Sequence, residues 1–166
     1  KGRVHYDYLV LATGTTTNFF GMDNVEANSL GMKDIRDSLN IRHMMLQNLE
    51  QAAITCDDNE RDALTNFVIV GGGPAGVEMA SIMNIYLIEA IDELLTTMSD
   101  KASSKTLKYL KDLDVKVLFN ESVTDYDGSK VTTKSGKTIL ANNLIWTAGV
   151  KGQFPKGIDE KHVVRG

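Results

Sequence analysis

An α/β fold is predicted by three features of this 166-residue chain. A compact apolar run, Phe67-Val68-Ile69-Val70, leads directly into Gly71-x-Gly73-x-x-Gly76 and the helix signal Val77-Glu78-Met79-Ala80. Further short apolar runs, Asn84 to Ala90, Val115 to Phe119 and Leu144 to Thr147, are set apart by helical or turn-rich stretches, the pattern of buried parallel strands. Between Ser122 and Leu140, Asp127-Gly128 and Ser135-Gly136 punctuate alternating, threonine-rich runs, as two successive hairpin turns do. Together these give a Rossmann-type parallel sheet with flanking helices and a three-stranded antiparallel meander in place of one crossover.

The remaining elements follow in chain order. Tyr6 to Ala12 is rich in aromatic and branched residues and stops at Thr13-Gly14, which reads as a buried strand closed by a turn. A linker follows. From Met32 to about Thr55, Ile35, Leu39, Met45, Leu46, Leu49, Ala52 and Ala53 recur near helical spacing. Such a helix would be about 36 Å long at 1.5 Å per residue, longer than one small sheet requires and suited to bracing two domains. A second short helix spans roughly Asn59 to Leu64. Ser99 reads as the N-cap of a helix running to Asp112 with Leu107 and Leu110 inward, and Asp114 stands where a helix often ends in the left-handed conformation. The tail from Lys151 to Gly166 carries few apolar residues and is expected to wander over the surface.

Composition excludes several functions. A hydrophobic content of 42% with 24% charged residues describes a globular chain, and a net charge of −4 with interspersed signs offers no basic face for nucleic acid. No apolar run approaches the roughly 18 residues needed to cross a bilayer. The single cysteine, Cys56, excludes an intrachain disulfide or a Cys-x-x-Cys redox pair and is expected to pack at a helix end. His5, His43 and His162 show no ligand spacing with one another or with Cys56, so no metal site is assigned. Trp146, ending an apolar strand, is expected in the core.

The glycine triplet lies between a strand and a helix, where its spacing has a mechanical meaning. Gly71 makes the tight turn, Gly73 lets backbone approach a pyrophosphate, and Gly76 lets helix and strand pack closely. Pro74 and Ala75 open the helix, whose free amides face the phosphates. Glu89 ends the next strand, where a carboxylate accepts both hydroxyls of an adenosine ribose and repels a 2′-phosphate. The pattern favours NAD(H) over NADP(H).

GGGPAGVEMA after the strand FVIV, with YLIEA, YDYLVLATG and LIWTAGV, resembles the pyridine nucleotide-disulfide oxidoreductase superfamily. Within it, TTTNFFGM and LNIRHMMLQNLEQA look most like type II NADH dehydrogenases. The resemblance implies an NAD-binding domain at residues 66–150, a flavin-domain remnant and linker at 1–31, a helical linker at 32–65, and a tail at 151–166 leading towards a flavin domain. It implies hydride transfer from NADH to FAD and then reduction of a quinone by the intact enzyme, held peripherally on the cytoplasmic side of a membrane. By the same resemblance Glu78 lies near the nicotinamide and flavin rings as the candidate catalytic charge. Ala148 and Gly149 line the nicotinamide half, and Thr13 and Gly14 lie under the adenine side of FAD. The family's FAD glycine motif and quinone-facing region are not in this sequence, so the chain by itself is expected to be soluble, colourless and catalytically silent. Another FAD-dependent reductase or NADH oxidase of the superfamily, or a redox sensor that binds nucleotide without turnover, stays open as an alternative.

The crossover after the glycine motif is short. A strand of five or six residues needs a returning helix of about 12 residues plus a loop of roughly 2–6. Only Pro74 to Met83 lie between Gly73 and Asn84. Residues are therefore expected to be missing near Ala80/Ser81, with adjacent Cα atoms there much farther apart than the 3.8 Å of a trans peptide. The alternative is a truncated crossover.

Overall fold

The structure is a computed structural model that describes residues 2–81, 85–155 and 157. Its elements, in order, are β1 (Thr15–Thr17), α1 (Asp23–Asn28), β2 (Leu30–Gly31), α2 (Ile35–Ile54), α3 (Asp58–Thr65), β3 (Phe67–Val70), α4 (Pro74–Ala80), β4 (Ile85–Ile88), α5 (Asp100–Asp112), β5 (Lys116–Leu118), β6 (Val123–Tyr126), β7 (Lys130–Thr133), β8 (Thr138–Leu140), β9 (Asn143–Trp146) and β10 (Val150–Gly152).

Five strands form a parallel sheet in the order β2-β9-β3-β4-β5, and β6-β7-β8 form the expected antiparallel meander. The central strands β3 and β9 are buried along their whole length, as sheets covered on both faces require. One face, Val68, Val70, Ile88, Leu144 and Trp146, packs on Val123, Tyr126, Val131 and Ile139 of the meander. The other, Phe67, Ile69, Ile85, Leu87 and Ile145, packs on Ile41 of α2, Ala80 of α4 and Leu110 of α5.

Local chemistry sets the helix ends. Asp34 and Asp37 close a reciprocal capping box at the start of α2, Asp57 caps α3 and Ser99 caps α5. Asp114 follows α5 at φ 59°, as its sequence position predicts. The buried Asn143 ties three elements together. Its Nδ2 donates to Leu64 O (2.9 Å) and Asn66 O (3.0 Å), while its Oδ1 accepts Asn48 Nδ2 (2.6 Å). No helix among the described residues is long and apolar enough to cross a membrane.

Several expectations need correction. Tyr6 to Ala12 is not a strand: the run is irregular and open, with Tyr8 93% and Val10 88% exposed, because no strand edge lies beside it to pair with its backbone. The stretch beyond Val150 does not simply wander, since β10 pairs antiparallel with β1, Thr17 opposite Val150. Cys56 is exposed in the short connection between α2 and α3 rather than packed at a helix end. Within α2 the buried positions are Ile41 and Ala52, whereas Ile35, Leu39, Leu46 and Leu49 are exposed. Residues read as linker also enter the nucleotide domain, for β2 pairs with β9 and Val25 of α1 is fully buried.

The break expected at Ala80/Ser81 is absent. Ser81 closes α4 at φ −76°, ψ −4°, and both its amide and its hydroxyl donate to Glu78 O. The rest of that expectation, at positions 82–84, lies outside the described residues. At seven residues α4 is about 10 Å long. Between α2 and the sheet lies a partly open apolar pocket of about 240 Å³, lined among others by Met45, Leu49, Phe67, Ile69, Met79 and Ile145.

Candidate functional site: a crevice at the carboxyl ends of the strands

In an open parallel sheet, ligands bind outside the carboxyl ends of the strands where the strand order reverses. Here that point lies between β3 and β9. Chain direction sends β3 onward to β4 and β5 on one side, while β9 and β2 lie on the other. A crevice of about 340 Å³ opens there, walled by Val70, Gly71, Glu89, Glu121, Trp146 and Ala148, with Phe20, Met22, Ala90 and Val123 also in its lining.

The three glycines have separate reasons. Gly71 sits at φ +113°, and a Cβ there would meet Thr147 Oγ1 at 2.9 Å and the Ala148 backbone at 3.0 Å. A Cβ on Gly76 would lie 1.9 Å from Gly71 O, so only glycine lets α4 sit this close to the end of β3. Gly73 is the opposite case, because a Cβ there would meet nothing within 4 Å and its backbone faces open space. Pro74 is the first residue of α4, followed by Ala75, and no side chain caps the helix start. Thr147 pins the neighbouring loop, its amide and hydroxyl both donating to Val70 O, at 2.9 and 2.8 Å.

Glu89 reaches back from the end of β4 to the glycine loop. Its Oε2 accepts the Gly72 amide and its Oε1 accepts the Ile91 amide at 3.2 Å. Its own amide donates to Leu118 O (2.9 Å), and its carbonyl accepts the Glu121 amide (3.0 Å), which continues the β4–β5 ladder past the strand ends. Trp146 is buried, as expected, and its Nε1 donates to Asn18 O (2.9 Å) and Ala148 O (2.7 Å). Gly149, at φ +78°, leaves room for the Phe20 ring, which a Cβ would meet at 3.0 Å.

Gly71, Glu89 and Ala148 thus share one crevice, with Gly73 at the adjoining helix start, Pro74, Ala75 and Gly76 in the first turn of α4, and Gly149 following Ala148. Thr13 and Gly14 stand apart, bonded to Gln153 just beyond β10: Thr13 Oγ1 donates to its carbonyl, and its amide donates to Gly14 O at 3.0 Å. Glu78 is exposed on α4 and does not line the crevice. Phe20, Met22, Glu121 and Val123 were not singled out from the sequence. Glu121 was within reach of one rule, since the residues just past each parallel strand face the same crevice.

The family of pyridine nucleotide-disulphide oxidoreductases matches residues 1–158. Relatives include the type II NADH:quinone oxidoreductase NdhA of Mycobacterium tuberculosis, 32% identical over 87% of this chain and 36% of its own length. The external NADH-ubiquinone oxidoreductase 2 of Saccharomyces cerevisiae mitochondria is 33% identical over 87% of this chain and 31% of its own length. Among solved structures, NDH2 from Plasmodium falciparum in complex with NADH superposes with a TM-score of 0.80 at 29% identity, covering 89% of this chain and 35% of that one. The chain spans about a third of the length of these relatives. With its parallel sheet, glycine cradle and crevice, the chain belongs to the pyridine nucleotide-disulphide oxidoreductase family, of which it is a nucleotide-binding domain.

Proposed function

We propose that this chain is the NADH-binding domain of a flavin-dependent NADH:quinone oxidoreductase, in which NADH is oxidised and a quinone reduced. The observation that carries the nucleotide reading is the Glu89 carboxylate in the crevice. An ionised carboxylate has about four acceptor positions, and the Gly72 and Ile91 amides occupy two. The two left equal in number the hydroxyls of a ribose 2′,3′-diol. A 2′-phosphate would bring like charge against the same group, so NADH is favoured over NADPH. The open backbone at Gly73 gives a pyrophosphate room to approach, and Ala148 and Gly149 form the wall at the nicotinamide end.

The quinone part rests on the similarity to NADH:quinone oxidoreductases, and peripheral contact with a membrane on the cytoplasmic side goes with it. FAD, when bound, supplies the two-electron acceptor that the protein side chains lack. Thr13 and Gly14 would lie against its adenine side, and Glu78 on the open side of α4 would present a fixed charge towards the paired rings.

Glu89→Arg tests the nucleotide reading. NADH and NADPH are titrated against the chain and its variant by fluorescence of the reduced nicotinamide. The arginine should weaken NADH binding roughly tenfold or more and narrow the gap to NADPH. Unchanged discrimination between the two nucleotides would overturn the assignment.

A further inference from the structure

The crevice holds a second carboxylate that the ribose reading does not use. Glu121 lines it just past β5, and its amide bonds to the carbonyl of Glu89 at 3.0 Å. Because β5 lies beyond β4 in the sheet, Glu121 is one strand spacing, about 4.8 Å, farther from the glycine loop than Glu89. A nucleotide laid with its pyrophosphate at the end of β3 and its ribose at the end of β4 has its base at the end of β5. The lining there is apolar enough for a flat ring, since it includes Ala90 and the buried Val123. At the edge stands Glu121, whose Oε2 is buried with no hydrogen-bond partner. A buried acceptor left unpaired is costly, and a ligand donor is one way to satisfy it.

We propose that Glu121 is a specificity residue that reads the base of the dinucleotide, its carboxylate accepting a hydrogen bond from the exocyclic amino group of adenine. This rests on the nucleotide reading above and adds to it the residue that reads the base. The carboxylate is suited to that task because it is an acceptor only while ionised. The Thr133 hydroxyl foremost, with Ser135 and Lys137, holds its pKa below the usual carboxylate range against the opposing effect of desolvation. The terminal torsion of a glutamate is broad, so either oxygen can turn to the ligand. Hypoxanthine, which carries a carbonyl where adenine carries its amino group, sets one acceptor against another at this point.

The test compares NADH with its hypoxanthine analogue, nicotinamide hypoxanthine dinucleotide, by fluorescence titration of the chain and of Glu121→Gln. The unsubstituted chain should prefer NADH by roughly tenfold. Glutamine, which has a donor as well as an acceptor, should erase that preference, while Glu89→Arg should weaken both ligands and leave the ratio between them. Thermal melting of Glu121→Gln checks that the variant is folded. NADH binding without discrimination against the analogue overturns the proposal and leaves the nucleotide reading standing. Equal loss of both ligands in a folded Glu121→Gln also overturns it, since the residue would then support the crevice without reading the base. No binding of either ligand removes the nucleotide reading and this proposal with it.

Discussion

The two faces of the central sheet are built on different terms. On the meander side, Val68, Val70, Leu144 and Trp146 meet side chains from three further strands, and away from the crevice at the strand ends the layer is closed. On the helical side, Phe67, Ile69, Ile85 and Ile145 meet helices, and a partly open pocket of about 240 Å³ lies between α2 and the sheet. Both faces are equally apolar in sequence. What differs is coverage: a continuous three-stranded sheet lies on one face, whereas separate helices lie on the other, α4 with only seven residues among them. The candidate crevice opens at the carboxyl ends of the strands on the meander side, where Val70, Ile88, Val123 and Trp146 line it and no residue of α4 does.

Core truncation on the closed face should expose the contrast most strongly. Leu144→Ala removes a side chain buried to 1% exposure between the sheet and the meander, and should cost about 2–5 kcal/mol in urea denaturation. A cost under about 1 kcal/mol would mean that the meander face relaxes as freely as the helical one.

The closed face also carries a pH signature. Burial, with Asp127 nearby, pushes the Tyr126 hydroxyl up to about 12, and that hydroxyl donates to Gly128 O at 3.1 Å. Unfolded, the group titrates near 10, so between these values the unfolded chain loses a proton that the folded chain keeps. Its contribution is complete below pH 10 and is lost as pH rises towards 12, amounting to on the order of 2–3 kcal/mol. Tyr126→Phe should flatten this limb of the stability curve, measured by denaturation from pH 8 to 12. A limb unchanged by that substitution would assign it to other groups.

The smallest effect is expected on the open face, and with the opposite sign. Met45 borders the cavity, and Met45→Phe should place ring atoms in empty space and raise stability by about 0.5–2 kcal/mol. Destabilisation by the larger ring, read from the melting temperature, would show that the cavity walls do not hold the shape described.

Much of this fold was legible in the chain because its signals are local. Phe67 to Val70 before the glycine triplet, Ser99 ahead of α5, and the Asp-Gly and Ser-Gly turns of the meander each specify their element within a few residues. What was not legible depends on neighbours. Tyr6 to Ala12 has the composition of a buried strand and none of the pairing. β1 and β10 are three residues each, too short to stand out in the chain, and form because Thr15–Thr17 and Val150–Gly152 meet across more than a hundred residues. The same holds at the site. Gly71, Gly73, Gly76 and Glu89 follow a linear spacing, whereas Phe20, Met22 and Glu121 join the crevice only through the order of the strands.

Asn143 gives the fold a keyed joint. Its amide group fits only when α2, α3 and β9 are all in place, and those elements come from opposite ends of the chain. A strand read purely by its greasy faces tolerates a shift of two residues, which restores every side chain to the proper side of the sheet. With Asn143 at its first position, β9 has no such freedom, because the same shift withdraws the amide from two carbonyls and from the Asn48 amide at once. The joint therefore converts an approximate hydrophobic fit into a single admissible alignment. That alignment sets Thr147 and Ala148 beside Gly71, so the joint at one end of β9 indexes the candidate crevice at the other.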